Sequence, residues 1–127
     1  MIQPQTILKV VDNSGARIVK CLRILKKGNN PRKGFIGDIL VVSVQKLRSK
    51  NRQFSKVLKG DVVLALVVKT KNPLKRKTGI SLRFDENCAV LLNKQRRPLA
   101  TRMFGVFPRE LRSLKFNRVL TLSSGFF

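Results

Sequence analysis

Short apolar runs separated by basic or glycine-bearing intervals recur along the chain: TILKVV (6–11), ARIVKCLRIL (16–25), DILVVSV (38–44), DVVLALVV (61–68), ISLRF (80–84) and CAVLL (88–92). Runs of this length, rich in Val, Ile and Leu, predict β-strands, and their punctuation predicts a mainly β fold, a small closed barrel. The cleanest alternation is ISLRF, with Ile80, Leu82 and Phe84 on one face and Ser81 and Arg83 on the other. In ARIVKCLRIL the basic residues Arg17, Lys20, Arg23 and Lys26 come every third position, which fits neither the strand nor the helix period. It is read as a strand because Ile, Val and Leu fill the rest and a turn precedes it. IGDILVVSV (36–44) and KGDVVLALVV (59–68) share a Gly-Asp entry into an apolar strand, read as two similar β-turns rather than a duplicated ligand site.

The pattern changes after residue 92. Asn93 to Arg102 is polar and basic, and FPRELRSLKF (107–116) then predicts a short helix. Pro108 suits its first position, Glu110 its positive end and Lys115 its negative end, with Leu111 and Leu114 on one face. RVLTLSSGFF is read as a last strand and a tail. Between the first two strands, DNSG (12–15) carries Asp and Gly where a type I turn wants them, with Gly15 in the left-handed region of a hairpin loop. That turn would bring Lys9 and Arg17 onto neighbouring strands.

Asp12 and Ser14 raise the question of an enzyme, but the chain contains no His and no second acid near them in sequence to serve as a base. Cys21 and Cys88, the only cysteines, both lie in apolar runs and are expected to be buried as small hydrophobes rather than joined as a disulfide. They assemble no zinc-ligand spacing, and no metal or cofactor is expected. The apolar runs are far shorter than the roughly 20 residues of a membrane-spanning helix. MIQPQTILK has neither the apolar core of a signal peptide nor the length of a transit peptide.

Charge changes the picture more than any motif. Across 127 residues, enough for one domain (1–127), 28 Lys and Arg face 6 Asp and Glu, a formal charge of +22. A compact body so charged repels itself unless a polyanion neutralises it, and nucleic acid is the natural partner. The cations fall in four acid-free runs: KKGNNPRK (26–33), KLRSKNRQFSKVLK (46–59), KTKNPLKRK (69–77) and KQRRPLATR (94–102). Such loops can follow a folded RNA backbone through phosphate and 2′-OH groups. With no Trp or Tyr, and only Phe35 and Phe54 in or beside the basic loops, a free single-strand-binding barrel is the weaker alternative. The RNA contacts are assigned to Arg17 and Lys20 on the second strand and to Lys26, Lys27, Arg32 and Lys33 in the first run. Arg48, Lys50 and Arg52 follow in the second run, and Lys71, Lys75, Arg76 and Lys77 in the third.

MIQPQT, VVDNSGAR, IGDI, LKGDVVLALVVKT, GISLRFDENCAVLLN and TRMFG followed by RELR occur in the order and spacing of the large-subunit ribosomal protein L-fourteen family, which the chain resembles over residues 1 to about 120. The resemblance implies a five-stranded β-barrel (about 1–92) with a C-terminal loop and short-helix extension (about 93–127). It implies a structural, non-catalytic constituent of the large subunit, bound to large-subunit rRNA on the side that meets the small subunit. The implied neighbours are ribosomal proteins L-nineteen and L-three, small-subunit rRNA at an intersubunit bridge, and a ribosome-silencing factor. On this sequence the positions matching that outer surface are Thr101, Arg102 and Arg118, and Arg96, Arg97, Arg109 and Arg112 are assigned to it with them.

The chain departs from the family pattern in its long basic loop 46–59, in Thr78 before Gly79, and in ATRMFGV, where Ala100 replaces Gly and Pro stands at 108 rather than 106. The tail SSGFF differs too. A divergent, highly charged member beginning without a presequence is read as organelle-encoded and mitochondrial, with bacterial cytoplasm as the alternative.

Overall fold

In a computed structural model describing residues 2–25, 33–48 and 55–126, five strands close into a barrel: β1 (Ile7–Val10), β2 (Ala16–Leu25), β3 (Ile39–Leu47), β4 (Val62–Lys69) and β7 (Cys88–Leu92). Neighbours pair antiparallel except at the closing seam, where β1 runs parallel to β7 with Lys9 opposite Cys88 and Val10 opposite Ala89. Between β4 and β7, a small hairpin of β5 (Leu74–Lys75) and β6 (Ser81–Leu82) stands outside the barrel. Beyond β7 follow β8 (Val106–Phe107), α1 (Glu110–Ser113), α2 (Asn117–Leu122) and β9 (Gly125–Phe126), β8 and β9 pairing in parallel.

The apolar pattern explains which strand goes where. Every residue of β7 is buried, as are Ala65 to Val68 of β4. Leu8, Val10, Val19, Cys21, Leu40, Val42, Ala65, Val67, Ala89 and Leu91 fill the barrel, while Leu66, Val68, Cys88, Val90 and Leu92 join Met103, Phe107, Leu111, Val119 and Leu120 in a second cluster outside it. Continuous apolar runs are thus strands covered on both faces, here by the barrel interior and the C-terminal extension. β2 lacks such a run. Its inward residues Ala16, Val19, Cys21 and Ile24 are spaced three, two and three apart, because register shifts fall between 16 and 19 and between 21 and 23. Between Cys21 and Arg23 β2 advances two residues against one of β3, while the two shifts between Ala16 and Val19 fall on opposite strands and cancel. That is why its cations defied both periods.

Several sequence expectations need correcting. ISLRF contributes only Ser81–Leu82, and Ile80 is 62% exposed, because the β4–β7 pairing already completes the barrel and leaves no edge for it. RVLTL is helical rather than extended: Phe116, Val119 and Leu120 lie three and four apart and pack together into the outer cluster. The preceding helix is only Glu110–Ser113, closed by Lys115 at φ 69°, and of its paired leucines Leu111 is buried while Leu114 is half-exposed. The second basic run starts inside β3, which reaches Leu47.

Both cysteines are buried, Cys21 inside the barrel and Cys88 in the outer cluster, so the wall separates them. The two Gly-Asp entries are the same turn built twice. Asp38 N–H donates to Phe35 O and Asp61 N–H to Leu58 O, at 3.1 and 3.2 Å, while each carboxylate accepts the N–H of Phe35 or Leu58 in return. Gly37 and Gly60 sit at φ 92° and 90°.

Candidate nucleic-acid interface

Five of the six acids are engaged by the chain itself, and the sixth, Asp85, is exposed. Asp38 and Asp61 close the paired turns, Glu86 pairs with Lys9 at 3.2 Å, and Glu110 holds Arg76 through bonds of 2.6 and 3.2 Å. Asp12 is fully buried, one oxygen accepting both the N–H and the hydroxyl of Ser14, the other accepting Leu91 N–H at 2.9 Å. Asp12 is therefore more than a turn residue: it ties the β1–β2 loop to β7. Ser14 is equally buried, so neither side chain of the would-be catalytic pair faces a substrate.

With the acids so engaged, the cations dominate the surface. Lys9 and Arg17 come onto neighbouring strands as expected, and they line a cleft of about 370 Å³ with Lys71, Asn87, the Lys9-paired Glu86 and the apolar Ile7, Leu8 and Ile18. Lys20 stands between exposed Ile7 on β1 and Ser43 on β3. Lys71, Lys75 and Lys77, on the β5–β6 hairpin and its approach, are exposed, as is Lys33. Arg17, Lys20, Lys71, Lys75 and Lys77 form no side-chain hydrogen bond or ion pair among the described residues.

Two of the expected RNA contacts, Arg48 and Arg76, also make contacts within the chain. Arg48 donates a close hydrogen bond to Val10 O, with its guanidinium 5.3 Å from the Phe104 ring centre. Arg76 is gripped by Glu110, joining the basic hairpin to α1. Burial by itself would push the Glu110 carboxyl up, but the hydrogen bonds and charge of Arg76, with Arg109 nearby, hold it below the ordinary glutamate range. Lys26, Lys27, Arg32, Lys50 and Arg52 lie outside the described residues.

The extension residues divide between three places. Thr101 and Arg102 are held by the β1–β2 loop: Asn13 Oδ1 accepts both their N–H groups at 3.0 and 3.1 Å, and Asn13 Nδ2 donates to Thr101 Oγ1. Arg96, Arg97 and Arg118 converge with Lys115 on a second cleft of about 450 Å³. Arg112 lies 4.7 Å from the Phe126 ring centre, and Arg109 is exposed beside α1.

Sequence reasoning left Lys9, Lys115 and Asn13 out of the site. Alternation in TILKVV carried the signal for Lys9, since it falls on the face opposite Leu8 and Val10. Lys115 reads in the sequence as a helix-end residue, which accounts for it without a site. For Asn13 there was no local signal, because its partners are 88 and 89 positions away.

Chemically the surface offers cations, amides and hydroxyls set on a rigid barrel, suited to holding a polyanion. No cluster of His, Cys, Asp and Glu fit to hold a metal occurs among the described residues. Burial pushes both thiols up in pKa and away from nucleophilic use. The family model described as Ribosomal protein L14p/L23e matches residues 1–127, barrel and extension alike, and the chain belongs to that family of large-subunit ribosomal structural proteins.

Proposed function

We propose that this chain is a structural constituent of the large ribosomal subunit that binds large-subunit rRNA through the barrel side bearing Arg17, Lys20, Lys71, Lys75 and Lys77. Its extension, with Arg96, Arg97, Thr101, Arg102, Arg109, Arg112 and Arg118, contributes to a bridge with small-subunit rRNA. The observation that carries this reading is the engagement of five of the six acids by the chain's own groups, which leaves most outward cations for phosphate. The partners follow from the family likeness: ribosomal proteins L-nineteen and L-three beside it, and a ribosome-silencing factor on the bridge face. The departures in loop 46–59 and in ATRMFGV support a mitochondrial ribosome, with a bacterial one as the alternative.

The test is sedimentation of tagged protein from lysate through sucrose gradients at low and moderate salt. Co-migration with large subunits is expected, and recovery only in the soluble top fractions overturns the reading. Alanine at Arg96, Arg97, Arg102 and Arg118 together is expected to spare large-subunit incorporation and to weaken subunit joining.

A further inference from the structure

The cleft of Arg96, Arg97, Lys115 and Arg118 has a property that charge alone does not require. Among the described residues only three non-glycine residues have positive φ, and two of them, Arg96 at 63° and Lys115 at 69°, line this cleft. Both occupy positions where glycine is the cheapest residue. Lys115 ends α1 in a Schellman arrangement, with Lys115 N–H on Arg112 O at 3.2 Å and Phe116 N–H on Leu111 O at 2.9 Å. Arg96 holds the left-handed place of a tight loop, with its N–H on Asn93 O at 3.0 Å and Asn93 N–H on Arg97 O at 2.8 Å. The Asn93 carboxamide oxygen also accepts the N–H groups of Gln95 and Arg97, which stiffens the loop.

Backbone strain of this kind persists only where the surrounding structure enforces it, and it clusters at ligand clamps and other functional sites. Here both strained positions carry cations, both face one cleft, and no acid lines it among the described residues. None of Arg96, Arg97, Lys115 and Arg118 has a side-chain hydrogen bond or ion-pair partner among those residues. We infer that this cleft is a preorganised binding site for adjacent phosphates of an RNA backbone, with Arg96 and Lys115 fixed in left-handed backbone to aim their charges at it. Guanidinium forks suit phosphate oxygens, and the prevalence of cations over apolar anchors in the lining favours a nucleic-acid backbone over a protein surface. The inference rests on the RNA-binding reading above but does not require the intersubunit bridge.

The full chain, labelled with nitrogen-15, is titrated with a short RNA duplex and separately with a poly-glutamate peptide, beside the variants R96G, K115G and R96G/K115G. The amides of residues 93–97 and 115–118 are expected to shift with RNA. The double variant is expected to keep or raise its melting temperature while the slope of log K against log salt falls by about two units. RNA that binds elsewhere without moving these amides overturns the inference and leaves the RNA-binding reading standing; no RNA binding at all overturns both. Tighter binding of poly-glutamate at these amides overturns it in favour of an acidic protein. A lower melting temperature in the glycine variants overturns the claim that the cations are held against the preference of the backbone. Phenylglyoxal protection of Arg96 and Arg97 in isolated large subunits, or only after small subunits join, tells which rRNA supplies the phosphates.

Discussion

Asn13 and Thr101, 88 positions apart, hold each other reciprocally: Asn13 Nδ2 donates to Thr101 Oγ1 and Thr101 N–H donates to Asn13 Oδ1, both at 3.0 Å. With Asn13 N–H on Arg102 O and Phe104 N–H on Val11 O, the DNSG loop acts as the mould for TRMFG. Asn13→Ala removes three side-chain bonds and is expected to cost about 1–2 kcal/mol of stability. Amide exchange at Thr101 and Arg102 should accelerate more than exchange in β3, which urea unfolding and exchange measurements together would check.

The basic residues fall into two groups that mutation should separate. Arg17→Ala and Lys71→Ala are expected to lower the salt slope of rRNA binding by about one unit each with little change in stability. Arg48→Lys should do the reverse. It loses the hydrogen bond to Val10 O and the guanidinium contact with the Phe104 ring, at a cost of about 1 kcal/mol, and leaves the slope unchanged because lysine keeps the charge.

Glu110 makes the joint between hairpin and extension sensitive to acid. Its carboxyl titrates below the ordinary value of 4.5, so the stability it lends is fully present above that value and fades as the pH falls through the lower, folded-state pKa. With side chains 14% and 30% exposed, the Arg76–Glu110 pair is expected to contribute about 1 kcal/mol. Glu110→Gln should lower stability at pH near 7 and flatten that acid dependence, as read by urea unfolding across the acid range.

The duplicated Gly-Asp turns form a natural control. An alanine at Gly60 meets nothing within 4 Å and bears only the left-handed backbone penalty of about 1–2 kcal/mol. At Gly37 the backbone angle is nearly the same, but the new Cβ would sit 2.1 Å from Leu114 Cδ1. Gly37→Ala is therefore expected to cost about 1 kcal/mol more than Gly60→Ala, the excess reporting how firmly α1 seats on the barrel.

Burial raises the pKa of both thiols, strengthened at Cys88 by the nearby Glu86 charge and opposed by Lys69 and Lys9. Neither should react with a thiol reagent at neutral pH until the chain unfolds, and reductant should leave the melting temperature unchanged. Rapid labelling of the native protein would contradict this.

How much of this was legible beforehand depends on how local the cause was. Ala65 to Val68 and Cys88 to Leu92 announced themselves as strand because burial on both faces leaves no polar position to blur the run. β2 was legible as a strand but not in its facing, since its register shifts against β3 leave no mark of their own in the sequence. ISLRF misled because alternation reports a face, not whether any sheet remains for it to join. In the site, cation runs could be located by inspection, but the engagement of Arg76 by a residue 34 positions on, and the meeting of Arg96 with Lys115, depend on how the extension folds back.

The parallel seam between β1 and β7 also sets an order of events during synthesis. Ile7–Val10 is among the first segments made, yet the strand that completes its pairing, Cys88–Leu92, comes more than 75 residues later. A barrel whose first strand waits for its last cannot close piecemeal, and its closure carries the entropy of a long loop. Until then the nascent chain presents open sheet edges together with most of its positive charge. For a protein made in the presence of RNA, that interval is when polyanions can reach it before its own fold has placed its acids.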